Sequence, residues 1–156
     1  RRRRGRAFAD RAVSKTYLAI VHGVPSPAVN VVNLPIARHP SDRRRMTVAR
    51  PGTGREAMTT WKLIRSGVWE GQKVSLMEIR LHTGRTHQIR VHMSHAGWPL
   101  VGESLYARGR SSSAPRQMLH AWKLSFPHPE TGETLSFEAP IPDDFRVIAN
   151  AILDKR

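Results

Sequence analysis

Four histidines and two arginines crowd the stretch HTGRTHQIRVHMSHAG at 82–97, and no acidic residue follows until Glu103. Three kinds of chemistry could use such a set: a metal centre, a surface for phosphate, or a pocket in which a cation holds an acid. Metal is disfavoured by spacing and charge. Ligands on one helix face need i,i+3 or i,i+4 spacing, and of His82, His87, His92 and His95 only the last two offer it. Catalytic zinc normally takes three protein ligands, the chain has no cysteine, and Arg85 and Arg90 would repel a dication. No metal is expected.

The arginines read differently. Arg85 falls just before the expected start of a helix and Arg90 one turn into it, beside Ile89 and Val91. Most arginines are solvated surface charges, but apolar neighbours make partial burial of Arg90 the expectation, and a partly buried guanidinium requires an anion. Tyr17, between Lys15 and Leu18 in a β-rich stretch, is by itself an ordinary strand tyrosine. The phosphate loops GxxxxGK[ST] and GxGxxG are absent, as is the serine-hydrolase motif GxSxG.

The elements that must position these residues follow from period and punctuation. SKTYLAIVHG, 14–23, reads as a strand ending on glycine. The proline-rich segment after it reads as loop with one short strand over 29–34, and PGTGREA, 51–57, as a turn-rich break. Strands are expected over 58–65 and 73–82, joined by a hairpin loop at 67–72; in the second, Met77, Ile79 and Leu81 alternate with Glu78, Arg80 and His82, the mark of a half-buried strand. Thr83-Gly84 breaks the pattern. Ile89, Met93 and Ala96 then recur at helical spacing, with Thr86 as the expected N-cap and Gly97 as C′. A loop over 97–116, a hairpin of strands over 118–126 and 134–139 about HPETGE, and a final helix from Pro142 complete the chain. That last helix carries Phe145, Ile148, Ala149 and Ile152 on one side, acids at its start and Lys155 and Arg156 at its end. The expected class is α+β, mostly antiparallel sheet with few helices, in one domain over 7–156 behind a disordered basic run at 1–6.

Charge narrows the partner. Lys and Arg number 26 against 12 Asp and Glu, for a net +14; without the five arginines among residues 1–6 the body still carries +9. A merely soluble basic protein is the plain alternative, but such a body suits a polyanion, RNA or DNA before a membrane, because the positives do not gather on one amphipathic helix. No apolar run reaches a membrane span, no apolar h-region marks a signal peptide, and cysteine is absent. A cytoplasmic location is the expectation.

KTYLAIVHG, RHPSDRRRMTV, HTGRTHQIRVHMSHAGWPLVGESLYA and MLHAWKLSFPHPETGETLSFEAPIPDDF, in that order, resemble the RluA-type pseudouridine synthases, and most closely their RluD-like members that modify large-subunit ribosomal RNA. The resemblance runs from Phe8 to Phe145. It implies isomerisation of uridine to pseudouridine without a cofactor, on a nucleotide flipped out of its stack. It also implies roles: Tyr17, of the K-x-Y motif, against the target base, and Arg90 paired with a catalytic Asp, which would keep that acid ionised. Lys15, Arg43, Arg44, Arg45, Arg85 and His87 are the candidate RNA contacts. The family's Asp sits in an H-R-L-D-x-x-T/S-G motif before the K-x-Y strand. This chain contains no such motif, and Asp10 does not match it; Glu103 stands where the family has Asp in VGDPLY. The expectation is therefore the C-terminal part of a catalytic domain, inactive alone, with an open sheet edge or exposed apolar surface. A non-catalytic RNA-binding module is the alternative.

Overall fold

The structure, a computed structural model, describes residues 13–154. The basic run at 1–6, Phe8, Asp10, Lys155 and Arg156 lie outside the described residues. Among the described residues eight strands form: β1 (Ser14–His22), β2 (Val29–Asn33), β3 (Ile36–Arg38), β4 (Met46–Val48), β5 (Met58–Trp69), β6 (Gln72–Leu81), β7 (Leu119–Pro127) and β8 (Thr134–Glu138). Two helices accompany them, α1 (Gln88–His95) and α2 (Asp143–Asp154). Six strands make one antiparallel sheet in the order β2-β5-β6-β1-β7-β8, and β3 with β4 makes a small separate ribbon. The class is α+β, as expected.

Strand β1 lies between β6 and β7 and organises the core. Successive side chains of a strand point to opposite faces. Leu18 and Ile20 pack with Val74, Leu76, Met118, Phe145, Ile148 and Ile152 beneath α2. Ala19 and Val21 pack with Trp61, Met77, Ile79, Ile89 and Met93 beneath α1. The two faces of one sheet thus hold two cores, and Val74 through Met77 are buried without a break. The half-buried alternation expected for β6 holds only towards its end, where Glu78 and Arg80 are more open. β2 and β8 are the sheet edges; Val29 and Val31 on one and Phe137 on the other are exposed, at 61%, 50% and 56%.

Three expectations about connections are corrected. The hairpin between β5 and β6 has no long loop: Trp69 pairs with Gln72, and Glu70 and Gly71 turn the chain with left-handed φ of 52° and 74°. That is the two-residue turn whose twist suits a hairpin. The β3–β4 ribbon stands where loop is expected, since three-residue strands are too short to display a period. Thr86 does not cap α1. His87 occupies the N-cap with φ 56° and makes no side-chain cap bond.

Candidate active site

Helix α1 buries seven of its eight residues, Gln88 to Ser94, although Gln88, Arg90, His92 and Ser94 are polar. Each therefore needs a partner. Gln88 supplies the staple that the absent cap would have provided. Its Oε1 accepts from the Arg85 backbone N–H (3.0 Å) and the Thr83 hydroxyl (2.7 Å), while its Nε2 donates to Met58 O and Thr59 Oγ1 (both 2.9 Å). The turn after β6 is thereby tied to the start of β5. His92 lies in hydrogen-bond contact with Leu34 O through Nε2 (2.9 Å) and with Thr59 Oγ1 through Nδ1 (2.8 Å). The helix ends as expected: Gly97 at φ 99° receives the Schellman pair, Gly97 N–H to Ser94 O and Trp98 N–H to Met93 O.

Arg90 is clasped by Glu103. Its Nε stands 3.1 and 3.0 Å from the two carboxylate oxygens and its Nη2 2.5 Å from Oε1. The side chains are 10% and 0% exposed. An acid that burial of Arg90 calls for is thus present within the chain, thirteen residues on. Backbone threading delivers it. Val101 N–H bonds Ile20 O and Met118 N–H bonds Val101 O, so the segment after α1 crosses the sheet beside β1. It then turns at Gly102 (φ 84°), where a Cβ would lie 1.9 Å from Arg116 O. Only glycine fits there. Arg90 Nη1 has no partner among the described residues.

Tyr106 is the residue that sequence reasoning missed. It is 4% exposed, and its ring centroid lies 5.2 Å from the guanidinium carbon of Arg90 and 5.4 Å from that of Arg45, both within cation–π range. Its hydroxyl accepts the Met46 backbone N–H (2.8 Å) and lies 2.8 Å from His87 Nδ1. One side chain therefore joins the β3–β4 ribbon, the N-terminus of α1 and the buried arginine. A signal exists in the sequence: an aromatic three positions past Glu103, in a stretch whose lack of period otherwise marks it as loop.

Tyr17 and Arg90 come together in a cleft of about 350 Å³, completed by Leu81, His87, Ile89, Gln117 and Leu119. Tyr17 reaches it from β1, where it pairs with Ile79 and Ala121 beside a register shift. Lys15 is two residues back on the same strand, with its ammonium close to Gly84. Burial first, and then the Arg90 charge, push His87 below its ordinary value near 6.5; Glu103 opposes them.

The other expected RNA contacts divide. Arg43 is exposed. Arg44 is spent on Asp42, through Nε at 3.2 Å and Nη2 at 3.1 Å, and those bonds hold the Asp42 carboxyl at about 2. Arg45 turns inward to Tyr106, with its Nε buried and unpaired. The three do not form one patch. Arg85 donates through Nε to Glu56 O (2.7 Å) and lines a second cavity of about 360 Å³ with Arg38 and Arg55, between the ribbon and the turn at 84–86. No carboxylate lines it. Arg38 and Arg55 escape notice in the sequence because they are scattered singly along the chain. Among the described residues no three His, Asp or Glu side chains gather as metal ligands, and no helix is long and apolar enough to cross a membrane.

Comparison with known proteins places this geometry. Residues 2–95 match the sequence profile of the RNA pseudouridylate synthases. An uncharacterized RNA pseudouridine synthase of Bacillus subtilis is 42% identical over 137 residues, covering 88% of this chain and 43% of that protein. The ribosomal large subunit pseudouridine synthase D of Neisseria meningitidis serogroup A is 42% identical over 146 residues, 86% of this chain and 37% of its own length. The structure of human RNA pseudouridylate synthase domain containing 1 superposes with a TM-score of 0.78 at 31% identity, covering 89% of this chain and 59% of the other. The chain spans about two fifths of the length of these curated relatives.

Proposed function

This chain belongs to the RNA pseudouridylate synthase family, and on that premise we propose that the Tyr17–Arg90 cleft receives a flipped uridine of RNA, from the large ribosomal subunit, for isomerisation to pseudouridine. One observation carries the reading: a strand tyrosine and a buried arginine from distant parts of the chain open onto a single cleft. The reaction breaks the N1–C1′ bond, joins C1′ to C5 and moves the C5 proton off the ring while N1 gains one, so it balances without cofactor or metal. Tyr17 stands against the base and serves the proton at C5. Arg90 is held rigid by Glu103 through Nε and Nη2, which leaves Nη1 for the carboxylate of the catalytic Asp. No H-R-L-D-x-x-T/S-G segment occurs in these 156 residues, so that Asp must come from elsewhere in the working enzyme.

The RNA backbone follows the positive surface. The groove of Arg38, Arg55 and Arg85 begins at the 84–86 turn, next to His87 in the cleft wall. Phosphates flanking the flipped nucleotide lie there, with Lys15 and Arg43 as further contacts. Ribosomal RNA as the substrate makes the cytoplasm the place of work. One observation favours a second reading, a binding module without turnover: Glu103 already neutralises Arg90.

Activity separates the two. Tritium release from C5-labelled uridine in ribosomal RNA is expected from a chain extended upstream through an intact H-R-L-D segment and not from the 156 residues alone. Turnover by the shorter chain would overturn the requirement for an outside Asp; none from the extended chain leaves the binding module. In the extended chain Arg90→Ala should abolish turnover and spare most RNA affinity. Equal loss of both would make Arg90 a phosphate contact instead.

A further inference from the structure

The hydrogen bonds around Tyr106 determine where the proton sits on His87. The Met46 backbone N–H can only donate, so the Tyr106 oxygen accepts there (2.8 Å). The phenolic hydrogen then needs an acceptor, and among the described residues the partner in reach is His87 Nδ1, at 2.8 Å. A ring nitrogen that accepts carries no hydrogen, so the imidazole is neutral with its proton on Nε2. Burial and the neighbouring Arg90 act in the same direction, against a second proton. Nε2 has no partner among the described residues. The ring is half-buried and lines the cleft.

We infer that His87 contacts the bound nucleotide as a neutral Nε2–H donor to a carbonyl oxygen of the uracil ring, with Tyr106 as the positioning residue that sets its tautomer. The acceptor follows from charge. A phosphate would draw the protonated ring, and the Tyr106 hydroxyl aimed at Nδ1 opposes that form. A neutral carbonyl suits a neutral donor. The left-handed backbone at His87 (φ 56°) is part of the arrangement, because it turns the ring from the N-cap of α1 towards both Tyr106 and the cleft. The inference rests on the cleft being a uridine site; the tautomer itself does not.

The experiment has two arms. A two-bond nitrogen–proton correlation spectrum of the 156-residue chain, free and near neutral pH, should show His87 protonated at Nε2 and bare at Nδ1, and Tyr106→Phe should release it to a mixture. A wild-type ring protonated at Nδ1, or at both nitrogens, overturns the inference, and this arm needs neither RNA nor turnover. The second arm measures binding of oligouridylate carrying 2-thio or 4-thio substitution, since sulfur accepts hydrogen bonds poorly. One of the two should weaken binding by about 2- to 10-fold, the worth of one net hydrogen bond. His87→Asn, which tolerates a left-handed backbone, should be blind to that substitution. Equal thio effects in both proteins, or coupling to a phosphorothioate alone, would remove the base contact. Correct tautomer with no oligouridylate binding would instead sink the uridine reading of the cleft and this contact with it, while leaving the Tyr106–His87 arrangement standing.

Discussion

The two helices cover opposite faces of one sheet and do so by opposite means. Helix α2 is amphipathic: Phe145, Ile148, Ala149 and Ile152 are buried, and Arg146, Val147 and Asn150 lie outside. Those side chains pack against Leu18, Ile20, Val74, Leu76 and Met118, so hydrophobic burial is the main reason for its place. Helix α1 buries Gln88, Arg90, His92 and Ser94 along with Ile89, Val91 and Met93. Every one of those polar groups is matched by a specific partner: Thr59, Thr83, Leu34 O, Glu103 and Tyr106 O. A face that only had to be stable would follow α2, since buried ion pairs add little over well-packed apolar groups. Polar burial of this density marks the face on which the cleft is built.

The comparison breaks most sharply at Glu103. Glu103→Ala strands a buried guanidinium and should cost about 3–5 kcal/mol in urea unfolding, whereas Arg90→Met with Glu103→Leu should recover most of that stability and lose RNA turnover in the extended chain. A double variant as unstable as the single one would mean the pair is needed for folding rather than for the cleft.

Acid should weaken the α1 face. Burial lowers His92 from near 6.5, so the unfolded chain binds its proton more readily than the folded one. Stability from this group is complete above about 6.5 and declines as pH falls towards the folded value, by up to about 1.4 kcal/mol per pH unit. His92→Gln should lower stability at neutral pH and flatten that slope. An unchanged slope would point to other titrating groups.

Within the α2 core, Ile152→Val should cost about 0.5–1.5 kcal/mol, the effect of removing one methylene group, with no change in the His87 spectrum or in RNA affinity. A shift of either would show that the two faces are coupled through β1. The smallest effect concerns the groove. Arg38→Ala and Arg55→Ala should each reduce the slope of log affinity against log salt by about 0.7–0.9 per phosphate that the arginine neutralises and leave kcat of the extended chain alone. A fall in kcat would bring the groove into the chemistry.

Legibility in the sequence follows length and period. β1, β5, β6, β7 and β8 and helix α2 are long enough to repeat a pattern, and they lie within a few residues of where spacing puts them. The β3–β4 ribbon is not, and it is hidden among prolines. Of the site, Tyr17 and Arg90 carry recognisable motifs, and burial of Arg90 can be argued from its neighbours. The arginine run at 43–45 looks uniform but is three different environments, because it lies in the turn between β3 and β4, where no strand or helix period fixes the direction of successive side chains.

What the amino-acid order determined by itself was the longer elements, the basic body, and the need of Arg90 for an anion. That the anion is Glu103, that Tyr106 ties His87 to the ribbon, and that Arg38, Arg55 and Arg85 share one groove were settled only by the tertiary structure. The hydrogen bonds among these groups join residues 13 to 60 positions apart across loops without a period. Local spacing decides which way a side chain points on its own element; what stands opposite depends on the path of the intervening backbone.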